Sequence, residues 1–165
     1  IAGGLNTIEE DRRDLYALIE GKSGPLTFEA GLRWENTTVR IDDLTVPTTS
    51  RTEYDELLPS ASLKWEVGQG RITASVARTL RRPRFDFISP ATLEEELGDN
   101  DLLGNPDLAP ETAWGGDLGY EHKIGRTGVV GVNVFYRDIK DLVEIANTGE
   151  PGSAYDPGDD PDNPE

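Results

Sequence analysis

Leu26-Thr27-Phe28-Glu29-Ala30-Gly31-Leu32-Arg33-Trp34-Glu35 alternates without a break. Leu26, Phe28, Ala30, Leu32 and Trp34 fall on one side of an extended chain; Thr27, Glu29, Gly31, Arg33 and Glu35 fall on the other. Successive side chains of a strand point to opposite faces, so this stretch reads as a strand with one apolar and one polar face. It continues to about Ile41, longer than the ~5–6 residues of an ordinary soluble strand.

The same sorting recurs outward from it. Ala61, Leu63 and Trp65 oppose Ser60, Ser62, Lys64 and Glu66 within a strand spanning Leu57 to Val67. Ile72, Ala74 and Val76 oppose Arg71, Thr73 and Ser75 between Arg71 and Thr79. Trp114, Gly116, Leu118 and Tyr120 oppose Asp117, Gly119 and Glu121 between Thr112 and Lys123. Val130, Val132, Val134 and Tyr136 oppose Gly131, Asn133, Phe135 and Arg137 between Val129 and about Val143. The first strand, Arg13 to Glu20, is less tidy, because Leu18 shares its polar side with Tyr16 and Glu20.

The connections alternate too. Gly21-Lys22-Ser23-Gly24-Pro25, Gly68-Gln69-Gly70 and Gly125-Arg126-Thr127-Gly128 are short turns. Between them come long polar segments, Asp43 to Glu56 and Leu80 to Pro110, and a third from near Ile145. Sending every long loop to one end suits a membrane barrel, with tight turns on one side and longer loops outside. The expected fold is all-β: an antiparallel up-and-down meander of about six strands, part of a larger transmembrane β-barrel with long loops at one end. Residues 1–149 form the partial barrel, and 150–165 form an acidic, Pro- and Gly-rich loop or mobile tail. The long loop should hold one helix, capped by Ser89, with Pro90 in its first turn, Leu93 to Leu97 in its body and Gly98 at its end.

Composition narrows the partners. Acidic residues outnumber basic ones 32 to 16, a formal net charge of −16, which argues against nucleic acid. No run approaches the ~20 apolar residues of a membrane helix, yet a barrel strand needs only about 9–11. Cysteine is absent, so neither a disulfide framework nor a thiolate metal site is available. Ile1-Ala2-Gly3-Gly4 has no charged and apolar leader pattern; either such a segment lies upstream or the protein is cytoplasmic.

Periodicity alone does not choose the medium, since a half-buried soluble sheet alternates as well. Charge placement favours the membrane: a lipid-facing charge at mid-bilayer costs ~2–4 kcal/mol, and the charges keep to one face. Trp65 and Tyr120 precede short turns and Phe28 follows one, as an interfacial aromatic belt requires. The alternative is a soluble all-β ligand- or carbohydrate-binding module packed on a second sheet. No catalytic constellation is present, and the chain is not expected to be an enzyme.

The order of motifs from Leu57 onward resembles the barrel of TonB-dependent outer-membrane receptors. Leu57-Leu58-Pro59-Ser60 is similar to the family's entry into a strand after an extracellular loop. Arg78-Thr79-Leu80-Arg81-Arg82-Pro83-Arg84-Phe85 with Ile88-Ser89-Pro90 is similar to its strand exit. Gly104-Asn105-Pro106-Asp107-Leu108-Ala109-Pro110-Glu111, followed by Gly119-Tyr120-Glu121, is the nearest match, and Val134 to Asp141 resembles the next strand and its exit. The resemblance implies a location in the outer membrane of a Gram-negative bacterium. It implies import of a small-molecule nutrient (siderophore, cobalamin or oligosaccharide) and contact with outer-membrane lipid and lipopolysaccharide. It implies a plug domain of the same parent chain and, through it, the TonB energy-transducing complex. The family's plug, partner-binding segment and C-terminal aromatic strand have no counterpart here, and such a transporter closes with about 22 strands. The chain therefore reads as an internal barrel fragment, which in isolation should self-associate through its unpaired edges.

Within that reading Glu29, Arg33, Lys64, Glu66, Asp117 and Glu121 are candidates to line the lumen or touch the plug. Arg78, Arg81, Arg82 and Arg84 are candidate anion contacts at the barrel mouth; the plainer expectation pairs them with Glu94, Glu95, Glu96, Asp99 and Asp101. The acidic runs Asp99-Asn100-Asp101 and Asp156 to Glu165 do not fit a calcium-loop pattern. His122, the sole histidine, belongs at the girdle or in solvent. No metal site, cofactor or catalytic residue is expected. Loop prolines and glycines are expected to shape backbone rather than touch ligand.

Overall fold

The computed structural model describes residues 6–44, 48–89, 92–93, 102–147 and 149. Its strands are β1 (Asn6–Ser23), β2 (Leu26–Asp43), β3 (Thr48–Val67) and β4 (Gly70–Arg81). A one-turn helix α1 (Phe85–Ile88) and the short strands β5 (Thr92–Leu93) and β6 (Leu102–Leu103) follow, then β7 (Glu111–Ile124) and β8 (Gly128–Lys140). β1, β2, β3, β4, β7 and β8 form one sheet in that order, every pairing antiparallel. This is the expected meander. β5 and β6 pair apart from it.

The short turns form because Gly24 and Gly68 take φ of +57° and +59°, a region closed to most side chains and required in such tight hairpins. All three short turns lie at one end of the sheet, and the β2–β3 and β4–β7 connections lie at the other.

Directly paired residues share a face, so register sorts the sheet. One face carries Leu26, Trp65, Ile72, Tyr120 and Val132 in one row, and Phe28, Leu63, Ala74, Leu118 and Val134 in the next. These large side chains are exposed: Leu118 is 56% accessible and Val134 63%. Among the described residues only Val39, Ile41 and Ile88 are buried hydrophobics. So small a core cannot offset the ordering entropy of such a sheet in water, and among the described residues no second sheet packs on the apolar face. The soluble-module alternative has no core to stand on. From Leu26 to Trp34 the apolar row runs ~27 Å at ~3.4 Å per residue, a length suited to a tilted membrane strand.

Above Trp34 the environment inverts while the register does not. Pairing runs without a bulge from Asn6↔Asp43 to Ser23↔Leu26 and from Leu26↔Trp65 to Asp43↔Thr48. Yet the buried positions of β2 are Glu35, Thr37, Val39 and Ile41, all on the face that was polar lower down. They are covered by the connection after β4. Ile88 packs on Val39 and Ile41, with Ile8, Tyr54 and Leu108 around them. Asn105 N–H donates to the Phe87 carbonyl at 2.6 Å, and Asn6 Nδ2 donates to Ser89 Oγ at 2.7 Å. Gly104 lies so close that an added Cβ would sit 2.3 Å from the Ser89 carbonyl oxygen. The Gly-Asn-Pro-Asp motif thus packs backbone against backbone; Asp107 N–H closes it onto Asn105 Oδ1 at 2.9 Å.

Three expectations need correction. The segment Asp43 to Glu56 is not a long loop: β2 reaches Asp43 and β3 begins at Thr48. Its alternation of Arg51, Glu53 and Asp55 with Ser50, Thr52 and Tyr54 carries no apolar stripe to announce a strand, but Tyr54 lands against the inverted core. β1 likewise starts at Asn6, because Ile8 pairs with Ile41. Ser89 does not open a helix; it terminates α1, its N–H donating to the Phe85 carbonyl at 2.9 Å. Leu93, expected in that helix, lies in β5, while 94–98 and the acidic stretch 150–165 lie outside the described residues.

Ile88→Ala should cost the loop about 2–5 kcal/mol of docking, read as faster amide exchange over 82–89 and 102–108 with β7 and β8 unchanged. Gly104→Ala should do the same, since its neighbours are rigid carbonyls. The Asp42 carboxyl is held below its ordinary value by the Thr49 hydroxyl, then by Arg40. Its contribution is present above the ordinary carboxylate pKa of ~3.9 and lost as pH falls through the lower folded value. Amide protection, measured relative to the intrinsic exchange rate, should therefore fall at residues 40–44 and 48–50 below about pH 4 before the rest of the sheet responds.

Candidate functional site

The polar face of the lower sheet is a charged wall. Glu20, Glu29, Ser62, Ser75 and Asp117 align in one row, and Thr27, Lys64, Thr73, Gly119 and Asn133 in the next. Of these, Glu20, Thr27, Glu29, Ser62, Lys64, Thr73, Ser75 and Asp117 bound an open trough of about 310 Å³. Three of the expected lumen residues, Glu29, Lys64 and Asp117, meet here. Asp117 receives both Arg137 Nη2 contacts, at 3.1 and 3.0 Å, while Arg137 Nη1 donates to the Gly116 carbonyl at 3.0 Å. Room for that guanidinium comes from Gly115, where a Cβ would stand 3.1 Å from it.

Toward the short turns, Glu66 and Glu121 share a second cluster. Arg71 reaches Glu66 at 2.9 Å and Glu121 at 3.6 Å, and Lys64 reaches Glu66 at 3.5 Å. These side chains are well exposed, so the pairs contribute little to stability; they keep charged groups solvated by one another along the wall.

Arg33, the sixth expected residue, lies higher and belongs to a different constellation. It bridges Asp14 at 2.8 Å and Glu35 at 3.1 Å, and Arg12 meets Asp14 at 3.2 Å. From the loop, Arg82 contacts Glu35 and lies 4.0 Å from Glu10. The Glu35 side chain is only 4% accessible; a carboxylate so buried requires paired cations. Asp14, and Glu35 with its link to Arg82, were missed by sequence reasoning. Glu35 looked like the last exposed residue of a polar face, and nothing local to it announces a partner brought by a distant loop.

Of the four arginines considered for anion contact, Arg78 and Arg81 lie in β4 and Arg82 and Arg84 follow it, and each has its own acidic partner. Arg78 pairs with Glu56 at 2.5 Å, Arg81 with Glu111 at 3.2 Å, Arg82 with Glu35, and Arg84 with Asp86 at 2.8 Å. Arg84 also lies over the Phe87 ring, 5.5 Å from its centre. The acids expected as partners, at 94–96, 99 and 101, lie outside the described residues. Glu111 does more than pair with Arg81. Its Oε1 accepts the Val143 N–H at 2.9 Å, so one carboxylate ties β4, β7 and the chain after β8.

His122 Nδ1 lies 3.0 Å from the Tyr120 hydroxyl, two residues along the apolar face. Among the described residues no group of acids and histidine has a metal-binding arrangement. The site chemistry is that of an exposed, ion-paired wall.

No curated relative matches the sequence. Among solved structures, the chain is similar to the siderophore receptor PirA from Pseudomonas aeruginosa, at 17% identity and a TM-score of 0.49. The match covers 82% of this chain and 33% of that one, so the chain spans about a third of that receptor's length. The model of the TonB dependent receptor-like β-barrel matches residues 4–161, nearly the whole sequence, and the chain belongs to the TonB-dependent receptor β-barrel family.

Proposed function

We propose that this chain supplies part of the barrel wall and outer loops of a nutrient-importing receptor in the outer membrane of a Gram-negative bacterium. The apolar face of the sheet meets lipid. The face bearing Glu29, Arg33, Lys64, Glu66, Asp117 and Glu121 meets the lumen and a plug domain of the parent chain, which couples to the TonB complex. The cargo is a small molecule of the siderophore, cobalamin or oligosaccharide class. The observation that carries this reading is the exposed apolar band ending at Leu15, Trp34 and Leu57, above which the covered face switches sides. A hydrocarbon slab with water beyond it accounts for both halves of that pattern. No catalytic role is assigned.

The chain lacks cysteine, so single-Cys variants report cleanly. In the full receptor reconstituted in bilayers, an environment-sensitive dye on Leu63→Cys or Leu118→Cys should be quenched by spin-labelled lipid and spared by aqueous iodide. Ser62→Cys and Ser75→Cys should behave oppositely. Equal quenching of both sets by iodide would refute the assignment. Leu118→Arg should cost about 2–4 kcal/mol in a reversible refolding assay, whereas Ser75→Arg should be tolerated. The isolated 165-residue chain should stay in solution only with detergent or as assemblies sealed edge to edge; a dispersed monomer in plain buffer contradicts the reading.

A further inference from the structure

The sheet is not closed by backbone along its whole height. β2–β3 pairing runs on to Asp43↔Thr48, and β4–β7 pairing to Arg81↔Glu111. Between them, β3–β4 pairing stops at Ser60↔Ala77. Residues 48–59 of β3 and 78–81 of β4 therefore border a seam with no shared ladder. The stop falls at Pro59, which has no N–H to give a neighbouring strand. The seam begins inside the apolar band. Pro59 lies in register with Leu32 and Ala17, and Leu57 with Trp34 and Leu15, the two outermost apolar rows. On that face its lips are Leu57, 50% exposed, and Trp114, 42% exposed.

In hydrocarbon an unpaired carbonyl has no solvent to turn to, so an open ladder at this depth must be stopped by a side chain. Arg78 is that stopper. It pairs with Trp114 and so belongs to the apolar face, whereas Glu56 pairs with Glu35 on the opposite face. Arg78 nevertheless crosses the seam: its Nη1 donates to the Leu57 carbonyl at 2.8 Å and meets Glu56 at 2.5 Å. Arg82, also from the far side of the seam, contacts Glu35. Two adjacent acids of β2 and β3 are thus clasped by two arginines from the β4 side. An ionisable residue at membrane depth marks a pathway more often than a scaffold. A closure made of one side chain also opens by a change of rotamer, with no strand to unzip.

We propose that the β3–β4 seam is a lateral gate in the barrel wall, bolted by Arg78 on Glu56, through which an acyl chain of an outer-leaflet lipid reaches the lumen side. When the bolt turns away, Leu57 and Trp114 give the chain an apolar doorway. Leu58 and Thr79, which register places on the lumen side, stand behind it. Below Ser60 the ladder is complete and the wall stays shut. The proposal rests on the lipid-facing assignment of the apolar band and adds an opening to it.

The test uses the full receptor in phosphatidylcholine vesicles doped with a phosphatidylcholine carrying a diazirine in mid-chain. Adducts formed on illumination are mapped by mass spectrometry. In the wild type Leu63 and Leu118 should label strongly, Leu58 and Thr79 weakly, and Ser62 and Ser75 not at all. Arg78→Ser should raise labelling at Leu58 and Thr79 roughly tenfold, the worth of one hydrogen bond from a charged donor. Glu56→Gln should raise it too, whereas Arg78→Lys, which keeps a charged donor, should stay near the wild type. Absence of label on Leu58 and Thr79 in the wild type, or equal labelling there in the wild type and Arg78→Ser, overturns the proposal. The apolar face separates the failures. If Leu63 and Leu118 label while Leu58 and Thr79 stay silent, the gate is wrong and the band stands; if Leu63 and Leu118 are silent, the barrel reading itself has failed.

Discussion

In the proposed receptor a single hydrogen-bonded ladder has to serve two media. In hydrocarbon no water can satisfy a stray N–H or carbonyl, so each group must pair within the sheet. In water the same ladder needs some covered face to hold it extended. β2 crosses from one regime to the other with its pairing intact on both sides. Only the covering changes: below Trp34 the even-numbered residues are apolar, and above it the odd-numbered ones are buried. The short glycine turns, the exposed leucines and valines and the small upper core all follow from that constraint.

The charged wall opposite the band is held by neighbours rather than by burial. Asp117 with Arg137, and Glu66 with Arg71, Lys64 and Glu121, are exposed pairs of low energetic worth. Their consequence is geometric. Each carboxylate keeps a defined direction on a wall that between them carries many small residues, Ser62, Thr73, Ser75 and Gly119 among them, and this leaves a shallow open trough. Glu20 and Glu29 face each other across adjacent strands within it, a like-charge pairing that disfavours the sheet.

The loop after β4 obeys different rules. It brings Ile88 and Leu108 onto Val39 and Ile41, brings Arg82 to the buried Glu35, and leaves room for neither a side chain at Gly104 nor a looser path. Apolar burial, one desolvated ion pair and a backbone approach cooperate to fold the described parts of this loop onto the inner face of the upper strands. Among the described residues, the one substantial set of buried groups is therefore found beyond the exposed apolar band.

Period two, short glycine turns and one-sided charges were legible in the amino-acid order. They are local properties, set by where successive side chains point and by which residues tolerate positive φ. They sufficed for the six-strand meander, the apolar face and the placing of Glu29, Lys64, Glu66, Asp117 and Glu121 on the opposite one. What tertiary structure alone decided is everything that depends on a distant partner. Strand extensions through Ser50, Thr52 and Tyr54 exist because a remote loop covers them. Glu35 is buried because Arg82 arrives from that loop, and Ser89 ends a helix because Gly104 packs behind it. Such contacts join residues far apart in the chain, and no periodicity in either segment records the other.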